Sequence, residues 1–205
     1  MAERRGLAAG LAIVVAALIA LFVAPSGYFA AATFVATGCM IVAAFWGGAF
    51  RNPGRPKPGP IVAGLVSALL LYGVFYGGAW AVSEFHPFGI TSASESSIYS
   101  LISSPSNPLY LQLGVLFFDS AGYETYFRGV LQKRLQPRMG VAAAPAVALF
   151  DALLHTATLN PLWVGATFVT DLLWGLTYYY GRGIQSSFTG HLVWDVAIFI
   201  VRPIR

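Results

Sequence analysis

The sequence predicts an all-α protein, a polytopic membrane helical bundle of about seven transmembrane helices. Of its 205 residues, 57% are hydrophobic and only 10% are charged, and the mean hydropathy is +0.69. Apolar runs close to the roughly 20 residues that a bilayer requires alternate with short polar segments. The basic residues cluster between these runs instead of lining one polar face, so the net charge of +4 does not indicate a nucleic-acid partner.

The first three predicted spans carry no charged residue and cover about 6–24, 28–50 and 61–82. The first run resembles a secretory signal, but Phe22 at the −3 position and Pro25 directly after the run disfavour cleavage, so we predict a retained helix. Four prolines between residues 51 and 60 predict a loop, because proline removes a backbone donor and clashes with the preceding turn.

A long polar segment, 83–108, separates these spans from four more, at about 109–135, 141–159, 161–180 and 184–201. Away from their ends, the last four spans contain eight acidic, arginine and histidine residues: Asp119, Glu124, Arg128, Asp151, His155, Asp171, His191 and Asp195. A charged group at membrane depth costs roughly 2.5–3.5 kcal/mol even on insertion scales, which makes these residues candidates for a functional site.

The distribution of basic residues predicts the orientation. With the N-terminus in the cytoplasm, nine of the twelve Lys and Arg residues lie on the cytoplasmic side: Arg4, Arg5, Arg51, Arg55, Lys57, Lys133, Arg134, Arg138 and Arg182. The segment 83–108 and the C-terminus are then extracytoplasmic. We therefore expect one integral domain over 1–205 in the cell membrane, with three N-terminal spans (1–82), a loop (83–108) and a core (109–205).

Helical spacing arranges most of the ionisable residues in pairs. Glu124 and Arg128 are four residues apart, as are Asp151 and His155, and again His191 and Asp195. Residues at i and i+4 share a helix face, so the fourth, fifth and seventh predicted helices each present a two-residue polar face. Because such faces are costly against lipid, we expect all three to converge on one interior site.

The residues around these pairs resemble a known family. Residues 123–131, YETYFRGVL, are similar to the EExxxRG signature of the CPBP family, which comprises the type 2 CAAX prenyl proteases and the bacterial Abi bacteriocin-processing and immunity proteins. The family's second motif, FxxxH, corresponds to 151–155, and its third, HxxxN, to 191–195. The resemblance extends over about 109–201.

The resemblance implies an intramembrane endopeptidase that cleaves near the C-terminus of a membrane-associated or lipidated peptide or protein. In the family, the first Glu and the second-motif His activate water, and the third motif stabilises the oxyanion. Carried over, Glu124 and Arg128 brace the helix, His155 positions the water and His191 is an oxyanion donor. The resemblance implies no metal and no cofactor, and the expected partners are this substrate and membrane lipids.

Three positions depart from the family pattern. Tyr123 replaces the first Glu, and a phenol with an ordinary pKa of about 10 is a poor base at neutral pH. Asp151 replaces the Phe of the second motif, and Asp195 replaces the Asn of the third. The base has then moved, to Asp151 or to Glu124, or the site is inactive. An ionised Asp195 would orient His191.

Two alternatives therefore remain at the level of sequence. One is an inactive peptide-binding or immunity protein of the same family. The other is a metal-dependent variant, with ligands drawn from Glu124, Asp151, His155, His191 and Asp195. We expect structural roles for the two remaining carboxylates: Asp119 as a hydrogen-bond acceptor for Tyr123, and Asp171 as a helix–helix polar contact.

Overall fold

The computed structural model describes residues 2–50, 57–85, 92–102, 107–181 and 183–204, and all regular structure in these ranges is helical. The main helices are α1 (Ala2–Phe22), α2 (Phe29–Trp46), α3 (Pro58–Phe85), α4 (Ser92–Ile102), α5 (Leu109–Tyr123), α6 (Lys133–Met139), α7 (Ala143–Leu154), α8 (Pro161–Gly181) and α9 (Ile184–Val196). A π-helix (Glu124–Gln132) joins α5 to α6, a 3-10 turn (His155–Thr158) extends α7, and a second π-helix (Ala197–Val201) extends α9. The predicted all-α class is confirmed.

Every predicted span corresponds to a helical segment. Four segments are long and apolar enough to cross a membrane: Ser26–Trp46, Pro58–Phe85, Leu109–Thr158 and Ile184–Val201. The third is 50 residues long and contains two of the predicted spans, while Gly6–Phe22 is apolar but shorter. The chain is therefore a multi-pass membrane protein.

The proline-rich loop is only partly described. Residues 51–56 lie outside the described part of the chain, as do His86, Arg182 and Arg205. Helix α3 begins at Pro58, where proline is tolerated because the first turn of a helix needs no backbone N–H partner.

The polar segment 83–108 is not wholly a loop, because it contains helix α4. Asn160 Nδ2 donates to the carbonyl of Ser94 at 2.9 Å, and the Tyr99 hydroxyl accepts from the backbone N–H of Ile204 at 3.1 Å. These contacts fix α4 at the end of the bundle where α8 begins and the chain ends. Sequence spacing did not reveal this helix, because its apolar residues are few and its partners lie more than 60 residues away.

At the opposite end, Arg134 Nη2 donates to the carbonyl of Gly47 at 2.9 Å, and the backbone N–H of Lys57 donates to Gln185 Oε1 at 3.2 Å. The segments predicted on the cytoplasmic side thus meet at one end of the bundle.

Two buried apolar clusters hold the helices together. In the first, Leu18 of α1 and Met40 of α2 pack around Phe127 of the first π-helix. In the second, Leu71 of α3 packs with two tryptophans of α8 and α9. Helix α1 packs against α2, α2 against α5, α3 against α9, and α7 against α8. The outer faces stay apolar, as a lipid-facing surface requires.

Helices α3 and α9 approach closely at Gly64. A Cβ atom at this position would lie 2.5 Å from the carbonyl oxygen of Ser186 and 2.7 Å from Thr189 Cβ. A small residue therefore lets the two backbones come together, as in other membrane helix pairs. This contact positions α9, and with it the third motif, against the rest of the bundle.

Candidate active site

The first motif lies midway along the continuous helical segment from Leu109 to Met139. Its residues belong to the π-helix Glu124–Gln132, and Tyr123 is the last residue of α5. A π-helical turn widens the backbone and is frequent at functional sites. Both Glu124 and Arg128 are 1% exposed, so the motif projects into the protein and not toward lipid.

Arg128 is bound by carboxylates from two helices. Its Nη2 donates to Asp171 Oδ1 at 2.6 Å, and its Nε lies 3.6 Å from Glu124 Oε2. The expected helix–helix role of Asp171 on α8 is thus seen, but its partner is the arginine of the first motif. A buried ion pair of this kind needs both members, since removing one leaves a charge without compensation.

His191 on α9 faces three carboxyl groups. Its Nδ1 lies 3.0 Å from Glu124 Oε1, and its Nε2 lies 3.4 Å from Asp195 Oδ2 and 3.9 Å from Asp119 Oδ2. Carboxylate oxygens only accept hydrogen bonds, so a ring with protons on both nitrogens is the form that satisfies all of them. The Trp174 ring stacks on the imidazole, with centroids 3.7 Å apart.

His155 has a different environment. Its Nδ1 lies 3.0 Å from the backbone carbonyl of Asp151, to which it donates, and 3.6 Å from the Asp151 carboxylate. This bond leaves Nε2 as the acceptor nitrogen of a neutral ring. The rings of Phe22 and Trp163 lie with their centroids 4.2 Å and 5.8 Å from the imidazole.

Tyr123 lies between the two imidazoles. Its ring centroid is 6.5 Å from that of His155 and 6.2 Å from that of His191, and the ring stacks on Phe127 at 5.2 Å. The three motif helices therefore bring their polar residues to one place, as the spacing predicts.

A cavity of about 330 Å³ opens onto this place. Its wall is mainly apolar, and its ionisable lining residues are Glu95, Tyr99, Asp119, Tyr123, Asp151, His155, Asp171, His191 and Asp195. Glu124 and Arg128 do not belong to the lining. Glu124 lies on the Nδ1 side of His191, and Arg128 lies next to Glu124.

A comparison with protein-family models matches the part of the chain that carries the three motifs. Residues 105–197 match the family model described as type II CAAX prenyl endopeptidase Rce1-like. This part of the chain is therefore similar to the Rce1-like family. The match includes all three motifs and excludes the first three helices. Neither the comparison with curated proteins nor that with solved structures gives a match.

Rce1-like proteins are in general proteases, so the site can be compared with the family's motif pattern. Glu124 and Arg128, for which the resemblance implies a bracing role, lie 3.6 Å apart. The departing residues Tyr123, Asp151 and Asp195 all lie on the cavity wall. The differences from the pattern therefore all lie along the cavity.

One group of side chains has donors suited to a metal. Asp119, His191 and Asp195 each offer one ligand atom, and these atoms lie within 4.8 Å of one another. Of the larger set considered from sequence, only His191 and Asp195 belong to this group. Among the described residues, His155 and Asp151 form a separate pair.

Asp119 is the site residue whose position differs most from expectation. It was expected to accept from Tyr123, but its Oδ2 approaches His191 Nε2. The signal available in the sequence was its i, i+4 spacing from Tyr123, which places both on one face of α5. That spacing predicts a shared face but not which partner from another helix approaches it.

Proposed function

We propose that this protein is an intramembrane endopeptidase that hydrolyses a peptide bond near the C-terminus of a membrane-associated or lipidated substrate. The observation that carries the proposal is the position of two buried imidazoles on either side of Tyr123, at the wall of a mainly apolar cavity. The match to the Rce1-like family model supports the reaction class.

His155 is suited to position the water. Its Nδ1–H is held by the carbonyl of Asp151, so Nε2 has a lone pair that can accept a hydrogen bond from water. The surrounding aromatic rings exclude bulk solvent and fix the ring plane. The side chain of Asp151 is fully buried, and we infer that it orients His155.

His191 is suited to stabilise negative charge. Glu124 holds Nδ1 at 3.0 Å and fixes the ring, so that Nε2–H, 3.4 Å from the nearest Asp195 oxygen, is the donor available to a developing oxyanion in the cavity. A preorganised donor aimed at a developing oxyanion is worth roughly 3–4 kcal/mol. Arg128 and Asp171 complete the brace behind Glu124.

The cavity supports a substrate with an apolar tail. A mainly apolar wall favours burial of apolar surface, at roughly 25 cal/mol per Å². We further propose that the protein lies in the cell membrane with its N-terminus in the cytoplasm. Support comes from the basic residues, nine of which belong to segments on one side of the predicted topology.

Cleavage by purified protein tests the proposal. The probes are a farnesylated CAAX peptide and a peptide with an unmodified apolar tail. His155→Ala and His191→Ala are each expected to lower the cleavage rate at least about 100-fold, because each removes a group on the reacting atoms. Glu84→Gln, an exposed change at the end of α3, is the control and should cleave normally.

Normal cleavage by both histidine variants would contradict the proposal. A silent wild type that gains activity on Tyr123→Glu would instead indicate an inactive, peptide-binding member of the family.

A further inference from the structure

We propose that Asp119 supplies the carboxylate that takes a proton from the attacking water, in place of the glutamate absent at position 123. The inference rests on the proposed peptide hydrolysis and assigns its base.

Access to the cavity separates Asp119 from the other acidic residues of the site. The side chain of Asp119 is 27% exposed, whereas the exposed fractions of the others are 1% for Glu124, 0% for Asp151, 3% for Asp171 and 6% for Asp195. A general base must lie within hydrogen-bond reach of the proton it removes. Of these five carboxylates, Asp119 is the one best placed to touch water in the cavity.

Three of the other carboxylates already lie against neighbouring side chains. Glu124 Oε1 accepts from His191, its Oε2 faces Arg128, and the residue does not line the cavity. Asp151 is shielded completely and lies beside His155. Asp195 Oδ2 accepts from Ser120 at 3.3 Å and faces His191.

The position of Asp119 on α5 agrees with a base that has moved by one helical turn from position 123. It precedes Tyr123 by four residues on the same face of α5, which moves the carboxylate by about 6 Å along the helix axis. Its Oδ2 remains 3.9 Å from His191 Nε2. Asp119 thus lies beside the proposed oxyanion donor, and it lines the same cavity as His155, the proposed ligand of the water.

The step balances without a co-reactant. Asp119 accepts a proton from water, the water oxygen bonds to the carbonyl carbon, and the carbonyl π electrons move to its oxygen. On collapse the C–N bond breaks, its electron pair stays on nitrogen, and that nitrogen takes the proton from the Asp119 carboxyl. The products are a carboxylic acid and an amine, and Asp119 is again ionised.

Kinetics of the full-length protein on the farnesylated CAAX peptide test the assignment. Asp119→Asn is expected to lower kcat about 100-fold or more with little change in KM, since a general base contributes 10²–10⁴-fold. The acidic limb of the pH–rate profile should disappear from the remaining activity. Glu84→Gln, a matched loss of one exposed carboxylate, should keep both the rate and the profile.

A second variant returns the carboxylate to its family position. Asp119→Asn combined with Tyr123→Glu is expected to recover at least about 10-fold in kcat over Asp119→Asn alone and to restore the acidic limb. A group that merely supports the fold would not produce this rescue. Asp119→Glu, which keeps the acid, should retain cleavage within about 10-fold of wild type.

Three outcomes would overturn the assignment. Wild-type rates in Asp119→Asn would refute it while leaving peptide hydrolysis intact. Equal losses in Asp119→Glu and Asp119→Asn, with no rescue at position 123, would show a purely structural role. One tightly bound metal per chain that Asp119→Asn releases would mean that the metal activates the water. A wild type that cleaves neither peptide would count against the proposed function itself.

Discussion

The two buried histidines of this bundle have opposite surroundings. His155 ends α7 among the rings of Phe22 and Trp163, with a backbone carbonyl as its hydrogen-bond partner. His191 lies within α9 among three carboxyl groups. Each has an aspartate one turn away in sequence, so their local spacing is almost the same.

The comparison indicates that the helices packed against each imidazole set the hydrogen-bonding role of that ring. Helices α1 and α8 bring aromatic rings to His155, which favour a neutral ring with one acceptor nitrogen. The first π-helix and α5 bring Glu124 and Asp119 to His191, which favour a ring that donates from both nitrogens. One imidazole is thus suited to hold water and the other to hold negative charge.

The largest expected effect comes from removing the buried arginine on the His191 side of the site. Arg128→Met leaves Asp171 and Glu124 without their cation and is expected to cost about 3–5 kcal/mol of unfolding free energy, measured by thermal unfolding in detergent. Arg134→Met, the control, removes an exposed hydrogen bond to Gly47 and should cost less than about 1 kcal/mol. Adding Asp171→Asn to Arg128→Met should recover part of the loss. An equal loss of unfolding free energy in the two arginine variants would show that the buried ion pair does not stabilise the fold.

A smaller effect tests whether the two histidines depend to different degrees on their neighbouring carboxylates. Glu124→Gln keeps the shape of the side chain but presents no carboxylate to His191 Nδ1, and kcat should fall about 100-fold or more. Asp151→Asn should lower kcat less than about 10-fold, because His155 Nδ1 is held by the backbone carbonyl of that residue. A larger loss of kcat in Asp151→Asn than in Glu124→Gln would identify Asp151 as the base. It would also refute the proposed difference between the two histidines.

The smallest effect concerns the aromatic surroundings of His155. Phe22→Leu loosens the ring contact at 4.2 Å and is expected to lower cleavage only about 3- to 10-fold, with at most about 1.5 kcal/mol lost in stability. Phe45→Leu changes an exposed residue of α2 and serves as its control in the same assays. Identical rates for the two variants would show that the rings around His155 do not position it.

Much of the site could be predicted because its residues are paired within single helices. Glu124 with Arg128 and Asp151 with His155 follow from i, i+4 spacing, and the same spacing on α9 places Asp195 beside His191. The partner of Asp171 could not be predicted, because 43 residues separate it from Arg128. The contact between Asp119 and His191 could not be predicted for the same reason, since the two residues lie on different helices.

By itself, the sequence determined that the chain forms apolar helices of membrane length and which residues share a face on each, because hydropathy and the helical repeat are local properties. The tertiary structure decided which faces meet. It placed Asp119 in the cavity, Glu124 behind His191 and α4 over one end of the bundle, because such contacts depend on how distant helices pack and which charges must be neutralised on burial.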